Sequence, residues 1–138
     1  HLPEKPPYYM PREAISGASP ALLEAKKLGI PVFSELETAL AFMPKGVRVF
    51  AVTGTNGKTT TTALLGEILK LQAQRENKGR QVFVCGNIGS PVSLCAGQVK
   101  KGDDVVIEVS SYQLGRLFVC VSKLVCRISL WNNCICAL

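Results

Sequence analysis

The chain has one histidine, one tryptophan and two methionines among 138 residues, and aromatic residues make up only 7%. The histidine is His1, which reads as a chain-end residue rather than a metal ligand. No apolar run reaches the roughly twenty residues that a membrane-spanning helix needs, so no membrane partner is expected. Six cysteines are present, yet Cys85 lies in an apolar run, Cys95 follows a glycine turn, and Cys120, Cys126, Cys134 and Cys136 lack metal-ligand spacing. No signal peptide is expected ahead of them. The chain opens His-Leu-Pro-Glu-Lys-Pro-Pro without an initiator Met, which reads as a fragment carrying free thiols in a reducing compartment. Acidic residues are outnumbered 10 to 16, for a net charge of +6 and a pI of about 9.1. Part of that excess sits at Lys70, Arg75, Lys78, Arg80, Lys100 and Lys101, which are not interleaved with aromatics and match no nucleic-acid motif. They are expected to form a solvated surface that favours anionic small molecules, without a nucleic-acid partner.

Apolar residues, at 47% of the chain with a mean hydropathy of +0.22, supply ample material for a core and exclude disorder. The length suits one domain or pieces of two. Pro3, Pro6, Pro7 and Pro11 make an irregular leader. Ser19-Pro20 then reads as an N-cap and first helical position, Leu22, Leu23 and Ala25 as an apolar face, and Gly29 as a stop. A short edge strand is expected over residues 30–33 and a second helix over 35–42, with Pro44-Lys45-Gly46 marking a domain boundary. Further on, strands are expected over residues 47–53, 81–85 and 104–109. A helix over residues 58–71 carries Leu64, Leu65, Ile68 and Leu69 on one stripe, and a polar helix end and loop follow over 72–80. Strands alternating with helices predict an α/β fold with a parallel sheet and a ligand at the carboxyl ends of its strands.

The run Val49-Phe50-Ala51-Val52-Thr53-Gly54-Thr55-Asn56-Gly57-Lys58-Thr59-Thr60 carries the chemistry. A β-branched strand breaks into a glycine-bounded turn, and a lysine with two hydroxyl residues follows where a helix begins. Bare backbone N–H groups and the positive end of a helix dipole suit a triphosphate. Lys58 is the candidate charge for the terminal phosphates and Thr59 the candidate Mg²⁺ ligand. The strict phosphate-loop pattern wants a glycine at position 52, which is Val52, so the loop is a tighter variant starting at Gly54. Glu108 ends the third apolar strand, where a carboxylate can reach a nucleotide-bound Mg²⁺ or simply lie exposed. Asn87, in Gly86-Asn87-Ile88-Gly89, follows the second strand and either meets substrate or caps a turn.

Gly54-Thr55-Asn56-Gly57-Lys58-Thr59-Thr60 resembles the ATP loop of the Mur ligases and the related folylpolyglutamate synthases. Gly86-Asn87-Ile88-Gly89 and Glu108-Val109-Ser110-Ser111-Tyr112-Gln113-Leu114 are similar to the D-glutamate-adding branch of the Mur ligases. Residues 19–32 resemble the end of that family's UDP-binding domain. The resemblance implies an incomplete Mur-type phosphate-loop (P-loop) central domain over residues 46–114, preceded over 1–45 by a remnant of a Rossmann-like UDP-binding domain. It implies an ATP-dependent amide-bond ligase of peptidoglycan synthesis that joins D-glutamate to UDP-N-acetylmuramoyl-L-alanine through an acyl phosphate. ATP and Mg²⁺ would be held by Gly54, Thr55, Asn56, Gly57, Lys58, Thr59 and Thr60. Lys58 and Glu108 would be catalytic, Thr59 and Glu108 would bind metal, and Asn87 and Gln113 would face the muramoyl substrate. A monomer in the bacterial cytoplasm, or in a plastid, is expected.

After Leu114 the resemblance is expected to stop. Residues 115–138 read as an atypical tail from a shifted or read-through frame, although residues 117–126 suit an apolar strand. The family's metal-binding histidine, modified lysine and C-terminal domain are not recognisable there. The expected outcome is a truncated chain that binds nucleotide with little or no ligation. The alternatives are a non-catalytic nucleotide-binding module and another member of the superfamily such as a folylpolyglutamate synthase.

Overall fold

The computed structural model describes residues 19–110, 113, 124–131 and 134–137. Helix α1 (Pro20–Lys27) starts with proline at its first turn, although Ser19 makes no side-chain cap. Gly29, at φ 61°, turns the chain so that Ile30 N–H donates back to Ala25 O at 2.8 Å. The strand expected over 30–33 shrinks to a single bridge residue, Val32, because Pro31 removes a ladder donor. Helix α2 (Glu35–Phe42) has the cap that α1 lacks: Ser34 Oγ accepts from Glu37 N–H at 3.0 Å.

Five strands follow: β1 (Arg48–Gly54), β2 (Val82–Gly86), β3 (Asp104–Glu108), β4 (Leu124–Trp131) and β5 (Cys134–Ala137). They form one sheet in the order β2-β3-β1-β4-β5, parallel except for the antiparallel β4–β5 pair. Alternation along the strands feeds two cores. Val49, Ala51, Cys85, Val105 and Ile107 pack with Leu36, Ala39 and Leu40 of α2 and Val92 and Cys95 of α4 (Val92–Ala96). Val52 and Val106 pack on the other face with Leu69 of α3 (Lys58–Glu76). The central strands are apolar on both faces because both faces are covered.

Helix α3 runs past the expected end at Leu71 to Glu76 and closes on Asn77 at φ 49°. Its buried face is also rotated from the expected stripe. Thr62, Gly66, Leu69 and Ala73 face the sheet, whereas Leu64 and Ile68 are 60% and 52% exposed. Gly66 explains the rotation, since a Cβ there would lie 2.5 Å from Val84 Cγ2, so the helix approaches the sheet on its smallest residue. Gly66→Ala is therefore expected to lower stability by about 1–2 kcal/mol in urea unfolding. The overlap with stiff Val84 outweighs alanine's better helix propensity.

Part of the region read as a tail lies in the sheet. Leu124–Trp131 pairs in parallel with β1, from Val49↔Leu124 to Gly54↔Leu130, and so continues the sheet rather than trailing from it. Of the strand expected over 117–126, residues 124–126 lie in β4, and residues 117–123 fall outside the described residues. The solvated basic surface is corrected at Arg80. Its side chain is only 11% exposed, with Nη2 3.4 Å from Glu76 Oε2 and Nε 3.6 Å from fully buried Asp104. Asp104 also accepts two bonds from Arg48, at 2.7 and 2.8 Å. That bidentate bond, with Asp104's charge behind it, raises the Arg48 pKa although burial opposes it. Asp103 ties the same end of the sheet, accepting from Gln81 N–H and Lys100 N–H. The free thiols expected at Cys85 and Cys95 are found, both buried, and burial followed by the neighbouring Cys95 pushes the Cys85 thiol up. Such a thiol is inert.

Candidate functional site

Strands β1 and β3 lie side by side at the centre of the sheet and deliver their carboxyl ends to one rim. Val52 pairs with Glu108, and Val109 N–H donates to Val52 O at 2.9 Å. Beyond β1 the chain turns through Gly54, Thr55, Asn56 and Gly57. Gly54 and Gly57 have φ of 140° and 77°, which L side chains rarely adopt, so both glycines are conformational requirements. Thr55 and Asn56 are exposed.

Gly57 is the N-cap of α3 and has no side chain to satisfy the first turn. Thr61 N–H donates to Gly57 O at 2.9 Å, and the N–H groups of Lys58, Thr59 and Thr60 precede that first helical bond. Lys58 folds back over the turn, its Nζ donating to Gly54 O at 2.8 Å and Thr55 O at 3.2 Å. Thr59 and Thr60 are exposed on the first turn, whereas Thr62 is buried and donates to Lys58 O at 2.7 Å. An uncapped helix start under a fixed ammonium group is a place for an anion.

Glu108 is 6% exposed, and its Oε2 is buried without a hydrogen-bond partner. It is therefore not the exposed strand-end residue that the sequence left open. A buried carboxylate oxygen with no donor fits a cation. Thr53 Oγ1, also at the end of β1, is buried and unpartnered in the same way. The sequence reading missed Thr53, because a threonine in a strand is ordinary and nothing in the pattern shows whether its hydroxyl is partnered.

Asn87 is exposed, and its N–H donates to Glu108 O at 3.1 Å, joining the end of β2 to the rim. Gln113 Oε1 accepts from Ser110 N–H at 2.8 Å while Ser110 Oγ accepts from Gln113 N–H at 3.1 Å. That reciprocal pair is a capping box, readable in Ser110-Ser111-Tyr112-Gln113 but not anticipated. The rim thus collects residues 54–60, Glu108 and the Asn87 backbone. Among the described residues no cluster of three or more His, Cys, Asp or Glu side chains forms a metal site. None of the described helices is long and apolar enough to cross a membrane. A cavity of about 300 Å³ opens elsewhere, between the end of α3 and the start of β2, and is lined by Lys70, Gln74, Asn77 and Arg80.

The Mur ligase middle domain matches residues 52–134, so the likeness extends past Leu114, where it was expected to stop. A UDP-N-acetylmuramoylalanine–D-glutamate ligase of Elusimicrobium minutum is 52% identical over 100 residues, covering 72% of this chain and 22% of the relative. The enzyme of the same name from Desulfosudis oleivorans is 52% identical over 93 residues, 67% of this chain and 18% of the relative. That from Caldanaerobacter subterraneus is 40% identical over 116 residues, 84% and 24%. The chain thus spans about a fifth of the length of these relatives. With a parallel α/β sheet, a glycine-bounded turn on its rim and a match over more than half its residues, the chain belongs to the Mur ligase family.

Proposed function

We propose that residues 54–60 form a phosphate loop that binds ATP with Mg²⁺. In this reading the chain is the nucleotide-binding core of a UDP-N-acetylmuramoylalanine–D-glutamate ligase. The observation that carries it is the joint geometry of the uncapped α3 start, the Lys58 ammonium over Gly54 and Thr55, and the unpartnered Glu108 oxygen on the same rim. Residues 1–45 are assigned to a Rossmann-like UDP-binding domain and residues 46–114 to the central ATP-binding domain.

In this assignment the N–H groups of residues 57–60 and the Lys58 ammonium bind and orient the phosphates. Thr59 and Glu108 hold Mg²⁺, which when bound supplies charge neutralisation at the transferring phosphoryl group. Asn87 and Gln113 face the muramoyl substrate, Gln113 through whatever its capping bond to Ser110 leaves free. The ligation itself, of D-glutamate to UDP-N-acetylmuramoyl-L-alanine, is proposed for the whole protein type that the relatives represent, as are a monomeric state and a cytoplasmic location.

Calorimetry of the purified chain with ATP, with and without Mg²⁺, tests the reading, and binding that needs the metal is expected. Glu108→Gln is expected to abolish the Mg²⁺ dependence of nucleotide affinity without lowering the melting temperature, since the buried Oε2 has no hydrogen bond to lose. A chain that takes up no magnesium nucleotide would refute the proposal. Phosphate release with the muramoyl nucleotide and D-glutamate then separates a ligase from a binding module.

A further inference from the structure

Four buried side-chain polar atoms of the described residues lack a hydrogen-bond partner. Two belong to Arg80, which has Glu76 and Asp104 within ion-pair range. The other two, Thr53 Oγ1 and Glu108 Oε2, both stand at the carboxyl ends of the adjacent central strands. A threonine that is 4% exposed ordinarily satisfies its hydroxyl, because a buried donor without an acceptor is destabilising.

Strand alternation places the two groups on different faces. Ala51 packs beneath α2 and α4, so Thr53, two residues on, returns to that face. Val106 packs beneath α3, so Glu108 belongs with Lys58 and the start of that helix. Cys85 lies on the Thr53 face, and Asn87 follows it two residues later. A ligand on the rim is therefore flanked by a carboxylate on the α3 side and by a hydroxyl on the side that leads to Asn87.

We propose that Thr53 is a ligand-contacting residue whose hydroxyl donates a hydrogen bond to an oxyanion seated on the carboxyl ends of β1 and β3. The hydroxyl is the one neutral donor among the two unpartnered groups, and it adjoins Gly54, the first residue of the anion-binding turn. The oxyanion is either the terminal phosphoryl group of the nucleotide or the carboxylate that receives it. This assignment rests on the nucleotide-binding reading above and adds to it a residue outside residues 54–60.

The test is calorimetry and thermal melting of the full chain as wild type, Thr53→Val and Thr53→Ser. Each protein is titrated with Mg-ATP, with Mg-ADP and with UDP-N-acetylmuramoyl-L-alanine. Valine keeps the branched shape and removes the donor. It is expected to weaken one ligand by about 10- to 100-fold, as for a hydrogen bond to a charged group, while the ligand-free melting temperature rises by about 2–4 °C. Serine is expected to stay within about threefold of wild type, because it keeps the donor. A loss for ATP but not ADP assigns the phosphoryl group; a loss for the muramoyl nucleotide alone assigns the carboxylate. If Thr53→Val binds every ligand as the wild type does, or melts below it, the assignment is overturned while the nucleotide reading stands. A wild type that binds none of the three refutes both.

Discussion

Replacing Lys58 with alanine is expected to weaken Mg-ATP binding by about a hundredfold or more, in line with about 3 kcal/mol for a charge-assisted bond to phosphate. Lys58 Nζ already sits 2.8 Å from Gly54 O and 3.2 Å from Thr55 O, so the ammonium is held over the turn before any ligand arrives. Little of the binding energy is then spent ordering a long, flexible side chain. Arginine is not expected to restore affinity, because its planar fork cannot replace a compact point charge inside a turn bounded by Gly54 and Gly57. Folding stability should change by less than about 1 kcal/mol, since Lys58 is only half-buried and its partners are backbone carbonyls beside solvent. Calorimetry at two salt concentrations, with urea unfolding alongside, separates the two effects. Unchanged affinity in Lys58→Ala would show that phosphates do not occupy the turn.

The parts of this molecule that the sequence made readable are those where one local cause decides the outcome. The apolar, valine-rich run from Val49 to Val52 had to be a buried strand, and Gly54 and Gly57 had to bound a turn. Pro20 and Gly29 likewise bracket α1 because each restricts the backbone by itself. What was misjudged depends on contacts between distant residues. Helical spacing put Leu64 and Ile68 on the same stripe as Leu65 and Leu69, and only the close approach to Val84 shows that Gly66 sets the buried face. Arg80 looked like one more surface cation until Asp104, 24 positions later, fixed it in place. The strand Leu124–Trp131 was obscured because no family motif is recognisable after Leu114, whereas its role is set by register with β1. At the rim, the order of motifs indicated Glu108 and Asn87 but not how they meet, which is through the Asn87 N–H bond to Glu108 O. Thr53 was invisible for a related reason: a threonine in a strand is ordinary until its hydroxyl is seen to be buried and unanswered.

Gly86→Ala should be the most damaging single methyl group in the described chain. Gly86 pairs with Glu108 in the β2–β3 ladder at φ 105°, and a Cβ there would lie 2.4 Å from Glu108 O. That oxygen is backbone and cannot swing aside. It also accepts the Asn87 N–H bond at 3.1 Å, so the methyl group would part β2 from β3 at the rim itself. A loss of about 3 kcal/mol or more is expected, with a melting temperature lower by about 10 °C. Two other glycines isolate the cause. Gly79 has φ 69° and nothing within 4 Å of an added Cβ, and Gly89 has φ 70° with Val84 O no closer than 3.5 Å. Alanine at either site should cost about 1 kcal/mol, the penalty of a left-handed backbone alone. Thermal melts of the three variants therefore read the overlap by difference. Nucleotide affinity measured below the lower transition should fall only in Gly86→Ala, because only that methyl group displaces the strand end carrying Glu108. Equal losses of stability in all three would mean that β2 and β3 do not meet as closely at the rim as their pairing indicates, and that Glu108 owes its position to something other than Gly86.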